Sequence, residues 1–498
     1  MADRLSALDA SFFYLQDSST PMHVGSVMLF ERRPRRGHKR SEARSRGQRR
    51  EQELNPPAGG FEYEQLVGLV SNRIAFVPRY RQKVHQVPGR LLPPVWVDDE
   101  QFDVSYHVRR SALPKPGTPT QLEEFVARIQ ARPLDPHRPL WELYLVEGLD
   151  GGRFAIVTKT HIALVDGIHA IDIGQIIVDP ESSAHEQPLP HAWRAARPPS
   201  GLELMLGVVA DVARNPLTIA RLARSGVEGT VAHVERLARR GASGATSAAG
   251  VLAKVATRPA PDSPLNRSVG AHRRFLMVAT EFEDYRRIRS GCGHSVTVHD
   301  VVLATITGAL RGWLLARGEA VAGTENVRAL VPLSVEPEGP ETQLGEQVSP
   351  MFVDLPVGEA RPLMRLHQIA YATAAHLDGG AAIDAASIAG LAGFAPPTLH
   401  SLGARLGNAM SRRVFNLVVT NVPGPQRELY AGDAPMVATY PVIPLPKGQT
   451  LAIGLTSYNG HVGYGLNADR DAMPDLELFG QCLSDALAEL LDETEARE

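Results

Sequence analysis

Lys159-Thr160-His161-Ile162-Ala163-Leu164-Val165-Asp166-Gly167 is the stretch from which the chain is best read. Just upstream, Phe154-Ala155-Ile156-Val157-Thr158 is a β-branched and aromatic run that follows Gly151-Gly152, and a turn-prone Asp-Gly closes the segment. The pattern predicts a strand that delivers its last residues to a loop. A histidine at the end of such a strand suits general-base chemistry, because imidazole titrates near neutrality. It must lie within hydrogen-bond reach of the hydroxyl it activates. A hydroxyl so activated attacks a thioester where donors hold the oxyanion. Parity adds a constraint: His161 and Ile162 face opposite sides if the strand runs that far, and only a departure such as a bulge relaxes it. The plain alternatives are a satisfied core histidine at His161 and a simple turn at Asp166-Gly167.

Length and composition bound what surrounds this segment. At 498 residues the chain is too long for one core, and two domains are expected. A hydrophobic content of 43% with 21% charged residues is that of an ordinary globular protein. Cys292 and Cys482 supply neither a disulfide framework nor zinc spacing, which suits a reducing, cytoplasmic setting. Met1-Ala2-Asp3-Arg4 opens without the apolar core of a signal peptide. The longest apolar run, Val301 to Leu310, stops at Arg311, so contact with lipid is expected to be peripheral.

The net charge of −3 conceals an asymmetry. Ten Lys and Arg against one Glu between Arg32 and Arg50 give that segment +9, leaving −12 on the rest. Residues 32–58 read as a basic, disordered insertion after a strand at Gly25 to Phe30 and before a helix near Phe61. It carries no interleaved aromatics for stacking on bases, so nucleic acid is not expected as a partner. The first half, residues 1–200, mixes strands and helices and includes a helix around Ile168 to Ile177. Residues 201–262 show helical spacing (Met205, Val208, Val209, Val212) and read as a connector. The second half, 263–498, holds a clear helix from Thr297 to Arg317. There Thr297 is the N-cap and Asp300 the third helical residue, which leaves His299 in an exposed first turn. Strands are expected at Val327–Pro332, Met351–Leu355, Phe415–Thr420, Thr450–Thr456 and Gly463–Leu466, with a final amphipathic helix. Alternating strands and helices in two comparable halves make this an α/β protein.

The opening stretch also resembles the HHxxxDG motif of CoA-dependent acyltransferases. His161 falls on the first His and Asp166-Gly167 on the DG, with Ile162 where the second His, the usual base, stands. Further blocks are similar to the bacterial wax ester synthase/diacylglycerol acyltransferase family. They are Leu5 to Phe13, Thr20-Pro21-Met22-His23-Val24-Gly25, Pro94 to Asp99, Tyr106 to Arg109, Pro133-Leu134-Asp135, Arg138-Pro139-Leu140-Trp141-Glu142 and Asn416 to Pro425. Two more departures accompany Ile162: His299-Asp300 in place of an Asn-Asp pair, and Leu344-Gly345-Glu346 in place of Leu-Gly-Asn.

The resemblance implies two chloramphenicol acetyltransferase-like domains with an active-site tunnel between them. It implies acyl transfer from acyl-CoA, a co-substrate, to diacylglycerol or a long-chain alcohol, making triacylglycerol or wax ester with no metal and no cofactor. His161 is then the best available base, Asp166 the carboxylate that orders the loop, and Gly167 its turn. Asp300 and Asn421 shape the site, and His299 is auxiliary. The expected location is cytoplasmic, peripherally on a membrane or lipid droplet. The alternative is a pseudoenzyme that binds acyl-CoA or neutral lipid. A condensation-type domain working on carrier-bound acyl groups uses the same motif, but no carrier or adenylation segment accompanies it here.

Overall fold

The computed structural model describes residues 3–5, 7–32, 61–86, 94–165, 173–181, 193–197, 199, 203, 259–293, 295–335, 347–378 and 414–497. In chain order the first half contributes β1 (Asp3–Arg4), α1 (Ala7–Leu15), β2 (His23–Phe30), α2 (Tyr63–Arg73), β3 (Gln82–His85), β4 (Val95–Asp98), α3 (Val104–His107) and β5 (Val108–Ala112). Then come α4 (Pro119–Gln130), β6 (Trp141–Glu147), β7 (Phe154–His161), α5 (Ile162–Val165) and α6 (Ile173–Ile177). The second half opens with β8 (Arg273–Glu281), α7 (Phe282–Gly291), α8 (Val298–Ala316), β9 (Val327–Val335), β10 (Gln347–Leu355) and α9 (Pro362–Asp378). It closes with β11 (Leu417–Pro423), β12 (Tyr430–Ala431), β13 (Ala434–Val442), β14 (Leu451–Tyr458), β15 (His461–Asp469) and α10 (Leu476–Glu495).

These elements build two six-stranded sheets, ordered β12-β13-β2-β7-β6-β5 and β10-β9-β11-β14-β15-β8, beside a small sheet β1-β4-β3. β7 is central in the first, and all eight of its residues are buried, as its unbroken β-branched and aromatic composition requires. Its two faces feed different cores. Phe154 and Ile156 join Phe30, Phe61 and Trp141. Ala155 and Val157 join α4 together with Phe275, Tyr440 and Val442 from the second half. The odd-numbered face of β7 therefore looks toward the second sheet. α8 is the core helix of that half, carrying Val301, Ile306, Leu310 and Trp313 into its largest cluster. It is the one helix among the described residues long and apolar enough to cross a membrane by length and composition, and most of it is buried inside the protein.

Sheet membership does not follow chain order, because β13 leaves its own half to pair with β2. The register runs from Met436↔Phe30 to Val442↔Gly25, with an irregularity between Met436 and Ala438. On its other side β13 lies across β15, where the backbone comes so close that only glycine fits. A Cβ on Gly465 would sit 1.7 Å from the Pro441 carbonyl oxygen, and one on Gly463 would sit 2.3 Å from that of Thr439. Asn467 Nδ2 donates to the Ile443 carbonyl at 2.7 Å. Three further ties cross the same junction. Glu123 Oε1 of α4 accepts the Met277 N–H of β8 at 2.9 Å, and burial raises that carboxyl to about 7. Arg273 donates to the Ser19 carbonyl, while Lys447 pairs with Asp17 at 3.2 Å.

Several expected boundaries move. Arg32, assigned to the basic insertion, lies just past β2 and pairs with Glu147 of β6 at 2.6 Å. The helix placed near Phe61 starts at Tyr63, behind a capping box at Glu62. The remainder of the insertion, 33–58, lies outside the described residues. So do Leu344-Gly345-Glu346 and, apart from 203 and 259–262, the connector. Of the helix around Ile168 to Ile177, the described part is α6.

Replacing Gly465 by Ala puts a Cβ into the Pro441 carbonyl, which must move with β13. The expected loss is about 2–3 kcal/mol of stability. Chemical denaturation checks it, with Gly460→Ala expected to lose less, since Gly460 meets no atom within 4 Å and is strained only by its φ of +87°.

Candidate active site

Both chain blocks that flank the His161 segment in space hold it in place. The His161 N–H donates to the Leu140 carbonyl at 2.9 Å and the Ile162 N–H to the Met22 carbonyl at 3.0 Å. Trp141, fully buried, is fixed in turn by its indole N–H on the Tyr80 carbonyl at 2.8 Å. Gly25 lets β2 press against β7: a Cβ there would stand 2.0 Å from the Thr158 carbonyl oxygen. Thr158 Oγ1 takes the Ser26 N–H at 2.8 Å.

β7 ends at His161, and Ile162 is the first residue of α5. Strand parity therefore stops at His161 and does not govern the pair. His161 is the N-cap of that short helix. Its Nδ1 accepts the Ala163 N–H at 3.1 Å, the bond a Ser or Asn side chain makes at the same position. The ring is 0% exposed and packs against Phe13 and His23, with centroids 6.0 and 6.2 Å away. Burial lowers its pKa to about 4, so it is neutral at pH 7. With Nδ1 accepting, the ring proton resides on Nε2, which is buried and has no hydrogen-bond partner among the described residues. The atom expected to remove a proton carries one.

Beside it lies a polar network that sequence reasoning did not assign. Lys159 is 1% exposed and donates to the carbonyls of Ile129 and Arg132, at 3.0 and 2.6 Å, just where α4 ends. Cations at helix C-termini are stabilised in this way. Glu142 lies 3.7 Å from Lys159 and 3.0 Å from Arg109, and accepts the Tyr144 hydroxyl at 2.7 Å. Burial lowers the Lys159 ammonium to about 8 in spite of Glu142. His23, at the start of β2, is directly opposite His161 and 3% exposed. The available signal was the i,i+2 alternation of Glu142 with Tyr144 and of Lys159 with His161, which puts each pair on one face.

Asp166 and Gly167 lie outside the described residues. In the second half the expected capping box is present: Thr297 donates its N–H and hydroxyl to Asp300 Oδ2 at 2.8 and 2.6 Å. Asp300 Oδ1 also accepts the Thr373 hydroxyl of α9 at 2.6 Å. The expectation of an exposed His299 fails. The ring is half-buried, and Asn421 Nδ2 of β11 lies 3.2 Å from His299 Nδ1. An amide nitrogen has only protons to offer, so Nδ1 accepts and the His299 proton sits on a buried Nε2. His299, Asp300 and Asn421 thus come together. No hydrogen bond or ring contact among the described residues joins them to His161.

Two such sheets, with a motif histidine at the end of a central strand, define an acyltransferase-like scaffold. Residues 5–302 match the family model of the wax ester synthase/diacylglycerol acyltransferase catalytic domain, and residues 344–491 match the WS/DGAT C-terminal domain. The chain is 31% identical over 510 residues, 98% of each chain, to the "Probable diacyglycerol O-acyltransferase tgs2" of Mycobacterium tuberculosis. It is 41% identical over 290 residues, 58% of this chain and 96% of the relative, to the "Probable diacyglycerol O-acyltransferase tgs3" of that species. Among solved structures, the wax ester synthase/diacylglycerol acyltransferase from Marinobacter aquaeolei VT8 is similar over 99% of this chain and 100% of its own, at 26% identity and a TM-score of 0.62. The first condensation domain of the calcium-dependent antibiotic synthetase, at 13% identity and a TM-score of 0.58 over 99% and 96%, shares the fold. The chain belongs to the wax ester synthase/diacylglycerol acyltransferase family.

The capping role is separable from proton transfer. Asn retains an acceptor for Ala163, so His161→Asn is expected to keep the fold, whereas His161→Ala loses about 1–2 kcal/mol from the cap alone. The native pKa lies below that of the unfolded chain, so wild-type stability is full above pH ~6.5 and falls toward pH 4, by on the order of 1 kcal/mol per unit. Denaturation of wild type and His161→Asn at pH 7 and 5 checks both points: their difference shrinks at the lower pH.

Proposed function

We propose that the protein is an acyl-CoA-dependent O-acyltransferase whose acceptor is a lipid alcohol, diacylglycerol or a long-chain fatty alcohol. The observation that carries this reading is the position of His161. It ends the central strand of the first sheet, held by Leu140 and Met22 from two of the family blocks. A thioester and a hydroxyl brought together there, in a tunnel between the halves, react by attack of the oxygen on the acyl carbon and departure of CoA. Acyl-CoA is the co-substrate, and the lipid acceptor reaches the protein from a membrane or lipid-droplet surface.

One observation favours a second reading, a protein that binds acyl-CoA or neutral lipid without turning it over. Ile162 offers no base, and His161 has its only lone pair committed to Ala163. Losing general-base assistance costs about 10²- to 10⁴-fold. Positioning alone contributes several kcal/mol to such a reaction, which leaves turnover measurable.

The purified protein with palmitoyl-CoA and either dipalmitoylglycerol or hexadecanol is expected to release CoA and form ester. Ile162→His is expected to raise kcat by about 10²-fold or more. A silent wild type beside an active Ile162→His would replace the enzyme reading by the binding one.

A further inference from the structure

Three buried histidines, His23, His107 and His161, and the half-buried His299 lie near the ends of strands or helices, and their hydrogen bonds sort them by what each can do with a proton. His161 and His299 both accept at Nδ1, from Ala163 and from Asn421, and so both keep their proton on Nε2. They are donors. His107 is different: its Nδ1 donates to the Trp141 carbonyl at 2.8 Å, which leaves a lone pair on Nε2. It is, however, sandwiched between Phe102 and Trp141, at 5.4 and 4.5 Å. It also immediately precedes β5, two strands away from β7, which is about 10 Å at the usual strand spacing.

His23 is left. Its ring faces that of His161 edge-on, and the two residues are directly paired across β2 and β7, so their side chains share a face. Among the described residues neither His23 ring nitrogen has a hydrogen-bond partner, and the ring lies toward the Gln130 main chain without reaching hydrogen-bond geometry. A proton directed at that carbonyl leaves the other nitrogen with a free lone pair. Burial, then the charge of Lys159 and the presence of His161, holds the ring neutral. Buried, unpaired polar atoms each cost about 1–3 kcal/mol, and here three ring nitrogens of two facing histidines have no partner among the described residues. Such a cluster is matched by polar groups that a ligand supplies.

We propose that His23 is the base that takes the acceptor's hydroxyl proton, while His161 donates its Nε2 hydrogen bond to the thioester carbonyl. This rests on the acyltransferase reading above. Both rings are buried, at 3% and 0% exposure, with centroids 6.2 Å apart, so the attacking oxygen and the carbonyl oxygen each come within about 2.8 Å of a ring nitrogen by displacing what now covers the pair. The acceptor oxygen forms its bond to the acyl carbon as its proton passes to His23. The carbonyl electron pair moves onto the oxygen held by His161. When it returns, the carbon–sulfur bond breaks, and the thiolate of CoA takes the proton from His23. Alcohol and acyl thioester become ester and free thiol, with no proton left over. Both roles need neutral rings, one with its proton placed to give and the other with its lone pair placed to take.

The test is steady-state kinetics on His23→Gln and His23→Ala with palmitoyl-CoA and the better of the two acceptors. Circular dichroism and thermal melting establish that each variant is folded. The expected result is a kcat reduced by about 10²- to 10⁴-fold with KM changed only a few-fold. Added imidazole is expected to restore turnover in folded His23→Ala, with 4-methylimidazole, the stronger base, restoring more. A merely structural histidine gives no such dependence on base strength. A folded His23→Gln within about threefold of wild-type kcat, or a folded His23→Ala that imidazole leaves unchanged, overturns the proposal. If His23→Ala does not fold, His23→Gln alone decides. A wild type without turnover beside an active Ile162→His overturns the acyltransferase reading and this assignment together. Loss of His23 alone leaves the acyltransferase reading standing.

Discussion

β13 is held between two sheets, and the positions of everything around the site follow from that. One edge hydrogen-bonds to β2; the backbone of the same strand rests on β15, where Gly463 and Gly465 present no Cβ. Close approach of backbone to backbone is what glycine permits, at the cost of greater freedom in the unfolded chain. Because β2 is the strand that carries His23 and borders β7, the contact fixes the first sheet's inner strands relative to the second half. Lys447 on Asp17 and Arg273 on Ser19 hold the loop that leads into β2. Glu123 does the same for α4, the helix whose end Lys159 caps. The strands that bear His23, Lys159 and His161 are thereby tied to the second half from three directions.

At the site, one hydrogen bond decides the chemistry. A neutral imidazole has one donor and one acceptor, and the bond made by the first nitrogen dictates what the second can do. At His161 the acceptor is used to start a helix, so the ring presents a proton. The deep burial that keeps it neutral is also what makes it a steady donor near pH 7. A neutral histidine that polarises a carbonyl is a known catalytic device. Ile162, a half-buried aliphatic side chain, removes a base without disturbing this arrangement, since its own N–H remains bonded to Met22.

Local signals made much of this legible. The composition of Phe154 to Thr158 predicts a buried strand, and Thr297 with Asp300 predicts the start of α8; both stand where expected. β13 was not legible. Pro435 and Pro441 weaken its strand pattern, and its partner β2 lies about four hundred positions earlier, so no window along the chain contains both. His299 appeared exposed because counting along α8 takes no account of Asn421, which arrives from β11. The end of β7 was uncertain by three residues for a similar reason: Leu140 and Met22 extend the ladder from neighbouring chain segments. His23 stood in plain view inside a family block, and only its pairing with His161 gives it a role.

Nitrogen-15 NMR of histidine side chains tests the central claim, that His161 is a neutral donor fixed by Ala163, most directly. Comparison of wild type with His161→Asn assigns the resonance. The account predicts an unprotonated, accepting Nδ1 and a protonated Nε2, unchanged between pH 8 and 5.5. A ring that carries its proton on Nδ1, or that titrates near 6.5, would contradict it.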